Sequence, residues 1–468
     1  MKENQINKIV KLYIIFSIFY SLIGRVIPIK QLIGEGVNSL IYILLAGIGA
    51  LLLLVDLFTT KKWYKGKYII VLYSFVVIIG ISSLINIKYG FSDNLKTIVW
   101  TTIQIGLIYT FYTRFSREEL IQFFDKMWVT MSTFWFFPVI ISLVQFVICK
   151  GYITKVEGRR LRQGFYDNRL FGLFNDPNYA AITSLCMIVA MLYLLKKVTN
   201  KKMRIFFKVN IVVQYIYVVL SGSRTALVCM TLITGFYVFM YCYQKIHGKY
   251  NWKRVLGIIL IPVVSMSIVV VAFTVVQRIC VVFPMTYYYV VNGEKDSHIK
   301  ISDKEEIDAT LTERKDGKQG NVSNNRVTIW KAYIKGLKGD VLLGGSPRNA
   351  LAKWQEKEPN GYLAVTGYET HNGYIYVLAG TGVIGMLTIV IFMILYARKM
   401  ILYMKGNYHI PPEVMFNFIF LIIVLIDVCF FTELFFVQGI ITILFWLHCG
   451  YTLCWIDAPK KNREKNKL

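Results

Sequence analysis

The residues able to do chemistry in this chain are few, and most stand in unpromising places. Of five histidines, His247 and His409 fall in basic segments between apolar runs, and His448 lies inside the last apolar run. His298 belongs to a charged stretch, Glu294 to Gly320, whose composition predicts a flexible segment. His371 is different. It ends a long polar stretch and opens the apolar run that continues Asn372, Gly373, Tyr374, with Gly380, Gly382 and Gly385 further on. An imidazole with an ordinary pKa near 6.5 can take a proton from a hydroxyl at neutral pH; at a helix end it can equally be a capping or packing residue. Glu369, two residues earlier, could orient it or be an unrelated loop carboxylate.

Arginines supply the second chemistry. Between Lys150 and Pro177 stand Lys150, Lys155, Arg159, Arg160, Arg162 and Arg169 against Glu157, Asp167 and Asp176. Such a stretch is either a solvated loop or an electropositive mouth for an anion, and arginine's planar fork suits phosphate. Arg224 sits in Ser221-Gly222-Ser223-Arg224-Thr225, between two apolar runs. A charge this close to hydrocarbon is costly and often marks a substrate path, although it can also anchor the interface. Arg326 opens the segment Arg326-Val327-Thr328-Ile329-Trp330, placed to reach a headgroup or to snorkel. Asp427 lies within an apolar run, facing either an interior cavity or a neighbouring helix.

The elements that must position these side chains follow from composition. Apolar residues make up 56% of the chain and charged residues 17%, short of the charge a soluble domain carries. Runs long enough to cross a bilayer recur at 8–26, 38–58, 69–88, 95–113, 127–149, 178–195, 205–221, 225–243, 256–277, 372–397, 414–432 and 434–455. These runs predict an all-α polytopic membrane protein with about twelve helices, and exclude a soluble enzyme, a disordered chain and a disulfide scaffold. The division is helices one to nine over 1–277, a large, partly helical loop over 278–371, helices ten to twelve over 372–455, and a basic tail over 456–468. The first run lacks a small-residue cleavage site, so no cleavable signal peptide is expected.

Charge sets the orientation. With Met1 inside, the short inside segments hold 25 lysines and arginines. The short loops on the other side hold 11, and the 94-residue stretch 278–371 is too long to vote. Both termini are therefore expected in the cytoplasm, with 150–177, 222–224 and 278–371 outside. The net charge of +26 is first a membrane-topology signal and second a fit to an anionic substrate, not a sign of nucleic acid. Within the long loop, Val327, Trp330, Ile334 and Leu337 recur at helical steps over 326–338. They predict an amphipathic helix lying on the membrane surface. Cys149 and Cys280 stand at outer helix ends, where oxidation could pair them; the other predicted-helix cysteines read as small core residues. No metal-ligand spacing, P-loop, GxGxxG or GxSxG is present, which gives no support to a metal cofactor, an ATP-driven pump or a serine hydrolase.

Four segments together resemble the O-antigen ligase and polymerase superfamily, membrane glycosyltransferases acting on undecaprenyl-diphosphate-linked sugars. They are Arg169…Gly172…Asn175-Asp176-Pro177-Asn178, then Ser223-Arg224, then Arg326…Trp330 followed by Gly344-Gly345, and finally His371-Asn372…Gly380…Gly382…Gly385. The resemblance covers about 170–390, and the turn Leu343-Gly344-Gly345-Ser346 departs from the family's more usual Gly-hydrophobic-Gly. It implies a GT-C-like fold, a diphosphate held by Arg169, Arg224 and Arg326, and catalysis by His371, with Asn372, Glu369 and Asp427 as possible supports. It also implies a metal-independent, inverting transfer that uses no cofactor, because arginines in place of a metal meet the charge of the departing diphosphate.

The implied partners are an undecaprenyl-diphosphate-linked oligosaccharide and the lipid bilayer, with a flippase and a chain-length regulator as possible companions. The implied location is a bacterial cytoplasmic membrane with the active site on its outer face. A polysaccharide polymerase making O-antigen, capsule or exopolysaccharide is the expected activity. A ligase delivering glycan to a lipid or protein acceptor is the alternative, and a polysaccharide flippase is the rival from another class. A transporter would show inverted repeats, and no convincing internal repeat is visible.

Overall fold

The computed structural model describes residues 3–156, 158–245, 252–280, 282–292, 298–302, 305–308, 325–407 and 409–457. His247 and most of the Glu294–Gly320 stretch lie outside them. His298 begins a short strand, His298–Ser302, paired antiparallel with Glu305–Asp308.

The apolar runs fold as helices. They are α1 Glu3–Ile23, a short α2 Ile27–Ile33, α3 Glu35–Phe58, α4 Ile69–Ile85, α5 Phe91–Ile103 with a widened turn over Gln104–Ile108, and α6 Arg117–Val147. There follow α7 Pro177–Leu194, α8 Lys201–Leu220, α9 Arg224–Lys245, α10 Trp252–Cys280 and α11 Val282–Asn292. After the partly described stretch come α12 Arg326–Gly336, α13 Ala350–Lys357, α14 Tyr362–Thr366, α15 Gly373–Lys405, α16 Pro412–Val428 and α17 Ile440–Ile456. Among the described residues, eight helices are long and apolar enough to cross a membrane, and two shorter apolar helices, Ile69–Ile85 and Ile440–Ile456, accompany them. Helices α3 and α10 leave most of their apolar surface uncovered by protein. A polytopic membrane protein accounts for this, because in lipid such faces cost nothing.

The chain is not all-α. The stretch after α6, read from sequence as a loop, is a three-stranded antiparallel meander: β1 Gly151–Val156, β2 Arg159–Tyr166 and β3 Arg169–Gly172. Two glycines make it possible. Gly164 has φ +70° and a Cβ there would strike the Lys150 carbonyl; Gly172 has φ +64° and closes on Ser142 of α6. Alternating strand chemistry in so short a segment was hidden by its many charges. The link between α1 and α2 meets the segment that follows β3, Val26 bridging Phe174 and Ile27 N–H donating to the Leu173 carbonyl at 2.8 Å.

Helix α15 is broken at Gly382, where φ is 66° and ψ −168°, a region essentially restricted to glycine. The freed backbone groups are met by the segment before α13. Val383 N–H donates to the Val341 carbonyl at 2.8 Å, Ile384 N–H to Leu342 at 3.2 Å, and Gly345 N–H to the Ala379 carbonyl at 2.8 Å. Ser82 of α4 donates to the Gly380 carbonyl at 2.8 Å. The Gly344-Gly345 turn is therefore part of the bundle; a Cβ at Gly344 would lie 2.6 Å from the Ala379 carbonyl oxygen. Irregular backbone is tolerated at such depth only where protein satisfies it.

Helix α12 docks on α13–α15 through Ile329, Tyr333 and Leu337, packed with Trp354, Leu363 and Ala379, and leaves Val327 and Ile334 of its apolar stripe exposed.

Candidate active site

The candidate residues gather at the end of the bundle that carries β1–β3 and α12–α14. Asp176 caps α7, its carboxylate accepting N–H bonds from Asn178 at 2.7 Å and Tyr179 at 3.3 Å, with Pro177 in the first turn. Around this N-terminus the parts of the site meet.

Arg169 comes from β3 and is buried. Its Nε donates to the Ser221 carbonyl at 2.9 Å and its Nη2 to Asn178 Oδ1 at 2.8 Å. It thus fastens the α8–α9 turn to α7. Arg224 is the first residue of α9 and is exposed. Ser223 beside it is buried, and its Oγ accepts the Ala226 N–H at 3.3 Å. The sheet also separates Arg169 from its sequence neighbours: Arg159, Arg160 and Arg162 stand exposed along β2, Arg162 paired with Asp167 at 2.5 Å.

Arg326 opens α12, its guanidinium 5.6 Å and 5.4 Å from the rings of Phe430 and Phe431. Tyr179 meets Phe431 edge-on at 4.9 Å, which links Arg326 back to α7. One turn along α12, Trp330 Nε1 donates to the Thr370 carbonyl at 2.9 Å, and Tyr333 OH donates to the Tyr368 carbonyl at 3.3 Å. These two bonds clamp the backbone on the near side of His371. On its far side Asn372 caps α15, accepting from Tyr374 N–H at 2.9 Å and Ile375 N–H at 3.1 Å. Held between clamp and cap, His371 adopts φ 45°, an uncommon conformation for a residue with a Cβ.

His371 keeps exposed surface, yet the protein around it disfavours its charged form. Its pKa is held below the ordinary 6.5, first by desolvation and then by Arg326, while Glu369 and Asp176 act in the other direction. Glu369 is exposed, and among the described residues no hydrogen bond joins it to His371. It acts at a distance and does not orient the ring through a hydrogen bond. Asn372 serves the helix end.

Asp427 is wholly buried near the end of α16, and among the described residues neither carboxylate oxygen has a hydrogen-bond partner. Arg25, Glu433, Asp176 and Arg326 lie within its electrostatic reach. Arg25 and Glu433 were not singled out by sequence. They pair at 2.5 Å, and Arg25 lies 5.0 Å over the Tyr179 ring. The available signal was one isolated charge at the edge of each of two apolar runs. The 429–439 segment that carries Glu433 also receives Gln104, whose Nε2 donates to the Val437 carbonyl at 2.8 Å from the widened turn of α5.

His448 is buried in the bundle, accepting from Trp128 Nε1 at 3.2 Å and bonded to Asn417. Cys149 and Cys280 are both free thiols. Among the described residues no three His, Cys, Asp or Glu side chains could hold a metal ion.

Fold and site define a multi-pass membrane protein with a histidine and several arginines converging at one end of its bundle. Residues 209–390 match the family described as O-antigen ligase, and this part of the chain bears out the resemblance to the O-antigen ligase and polymerase superfamily. The matched stretch contains Arg224, Arg326, the Gly344-Gly345 turn, His371 and the broken part of α15. None of the curated proteins matches the chain.

Proposed function

We propose that the protein is a polysaccharide polymerase that transfers a glycan from an undecaprenyl-diphosphate carrier to the hydroxyl of a lipid-linked acceptor unit. The reading rests on the family match over residues 209–390 together with one observation: α12 delivers Arg326 and, through Trp330, fixes the backbone beside His371. An anion-binding cation and a neutral imidazole are thereby set on one rigid unit. In this reading twelve helices cross a bacterial cytoplasmic membrane in a GT-C-like arrangement, and the site opens on the outer face.

The step is a single displacement. The acceptor oxygen bonds to the anomeric carbon as the carbon–oxygen bond to the diphosphate breaks. The acceptor proton passes to the His371 imidazole, and the electron pair leaves with the lipid diphosphate. Arg224 and Arg326 meet the charge that develops on it, Arg224 from a helix N-terminus that itself favours anions. Arg169, its fork bonded to the Ser221 carbonyl and to Asn178, holds the Arg224 turn in place and adds its charge to the site. One displacement inverts the anomeric centre. The family description keeps a ligase as the second reading, with the same donor chemistry and a different acceptor.

The test is transfer in membrane vesicles supplied with lipid-linked repeat units from the host, with products resolved by length. Wild type should give a ladder. His371→Ala should give single units on the carrier, since loss of a general base costs about 10²–10⁴-fold in rate. Long chains from His371→Ala, or loss of activity in EDTA that divalent metal restores, would overturn the mechanism.

A further inference from the structure

We propose that Arg348, held against Tyr376 one helical turn beyond the His371–Asn372 cap, marks a second anion subsite that takes the phosphate groups of a lipid-linked acceptor. The proposal rests on the reading of Arg169, Arg224 and Arg326 as the donor's diphosphate site.

Arg348 follows the Gly344-Gly345-Ser346-Pro347 turn that plugs the break in α15. Its backbone is fixed: its N–H donates to Asn94 Oδ1 at 3.0 Å, and Asn94 Nδ2 donates to Ser346 Oγ at 2.9 Å. Its side chain is fixed as well. Nη1 donates to the Tyr376 hydroxyl at 3.2 Å and to the Phe436 carbonyl at 3.4 Å, while the Tyr376 hydroxyl donates back to the Arg348 carbonyl at 3.5 Å. Phe436 itself has φ 62°, and its ring meets Tyr376 edge-on at 5.4 Å. Despite these restraints Arg348 is exposed. Among the described residues only Nη1 of its guanidinium is engaged, which leaves the Nε–Nη2 edge, a bidentate fork for phosphate, without a bond inside the protein. A solvated surface arginine gains entropy by staying mobile; one held on both backbone and side chain is preorganised to bind.

Its place relative to His371 follows from α15. Tyr376 stands one turn beyond Asn372, the residue after His371, a rise of about 6 Å. Arg348, Glu369 and Asp93 lie within electrostatic reach of Tyr376, and Asp93 is paired with Lys96 at 3.1 Å. Glu369 and Arg326 also lie within electrostatic reach of His371. Arg326 belongs to α12 and packs on Phe430 and Phe431, whereas Arg348 belongs to the turn before α13 and packs on Tyr376, so the two cations are held by different elements. Two lipid diphosphates, one leaving and one retained, require two such groups; transfer to an uncharged acceptor requires one.

Farnesyl diphosphate is a suitable probe, and native mass spectrometry of the purified full-length protein counts what it binds. Wild type should carry up to two molecules. Arg224→Ala and Arg348→Gln should each carry one, and the double variant none. Farnesol should not bind in their place, and excess phosphatidylglycerol should not displace the Arg348-dependent molecule. Two molecules on Arg348→Gln would overturn the subsite, as would displacement by phosphatidylglycerol, which would make it a bilayer-headgroup site. A single molecule on wild type, lost in Arg224→Ala and kept in Arg348→Gln, would also overturn it while leaving the donor reading intact. Loss in Arg348→Gln with no loss in Arg224→Ala would instead remove the donor site.

Discussion

At the scale of single residues, His371 combines uncommon backbone geometry with a pKa held below 6.5 by desolvation and by Arg326. The sign of the pH effect follows. A base works when unprotonated, and a lowered pKa keeps the imidazole neutral to lower pH. Transfer should be flat through neutrality and fall only on the acid side, with its midpoint below 6.5. Removing the Arg326 charge relieves one cause of the lowering, so the residual activity of Arg326→Gln should show an acid midpoint displaced upward. A midpoint unmoved or lowered in Arg326→Gln would separate the two residues. His409→Ala is the control; His409 is exposed on the segment between α15 and α16, and its variant should match wild type in the product ladder. Arg224→Lys should be impaired nearly as much as Arg224→Ala, because lysine keeps the charge and loses the fork.

At the scale of elements, α12 and α15 build the site together. The Trp330–Thr370 bond is one hydrogen bond of 2.9 Å, so Trp330→Phe should lower stability by only about 1 kcal/mol. Its effect on transfer should be larger, because the backbone on one side of His371 loses its clamp. A fall in kcat with a near-normal unfolding midpoint is the expected result. Gly382 is the opposite case. Its conformation is essentially glycine-only, costing any other residue about 1–3 kcal/mol before clashes are counted. A Cβ there would also lie 2.3 Å from the Leu342 backbone. Gly382→Ala should therefore reduce the yield of folded protein in detergent size-exclusion profiles. A fully folded, active Gly382→Ala would mean that the plug and the break are not coupled.

At the scale of the whole molecule, the far end of the bundle is tied by charge. Arg114 and Asp56 pair at 2.8 Å with both side chains 0% exposed, and Asp56 Oδ2 also accepts the Trp63 N–H at 2.7 Å. Breaking a buried pair from one side typically costs about 3–5 kcal/mol. Asp56→Ala should therefore lower the unfolding midpoint well below that of wild type. Its product pattern should be unchanged at a permissive temperature, since the candidate site lies at the other end. The orientation is checked separately: labels at Lys62, Asn200 and Leu402 should be accessible from the cytoplasm, and a label at Arg160 from outside. An outside label at Asn200 would invert the assignment and put the site on the wrong face for a lipid-linked donor.

Sequence alone determined the apolar runs, because a bilayer imposes a length and a composition on every segment that crosses it. It also determined His371 and the three arginines as candidates, since charges beside long apolar runs are conspicuous. The β1–β3 meander was not legible: it rests on two left-handed glycines and on contact with Ser142, which no local pattern announces. The face by which α12 docks, Ile329 and Tyr333, was not legible, because amphipathicity does not say which neighbouring helix will cover a residue outside the main stripe. Arg25, Glu433 and Arg348 were passed over because their partners are distant in sequence. Arg25 meets Glu433 only when the link between α1 and α2 packs beside the segment before α17, and Arg348 meets Tyr376 only when the loop before α13 fills the break in α15. Spacing along a chain reports neighbours on one element; which elements touch is decided by packing and by the need to satisfy backbone groups at an irregular helix.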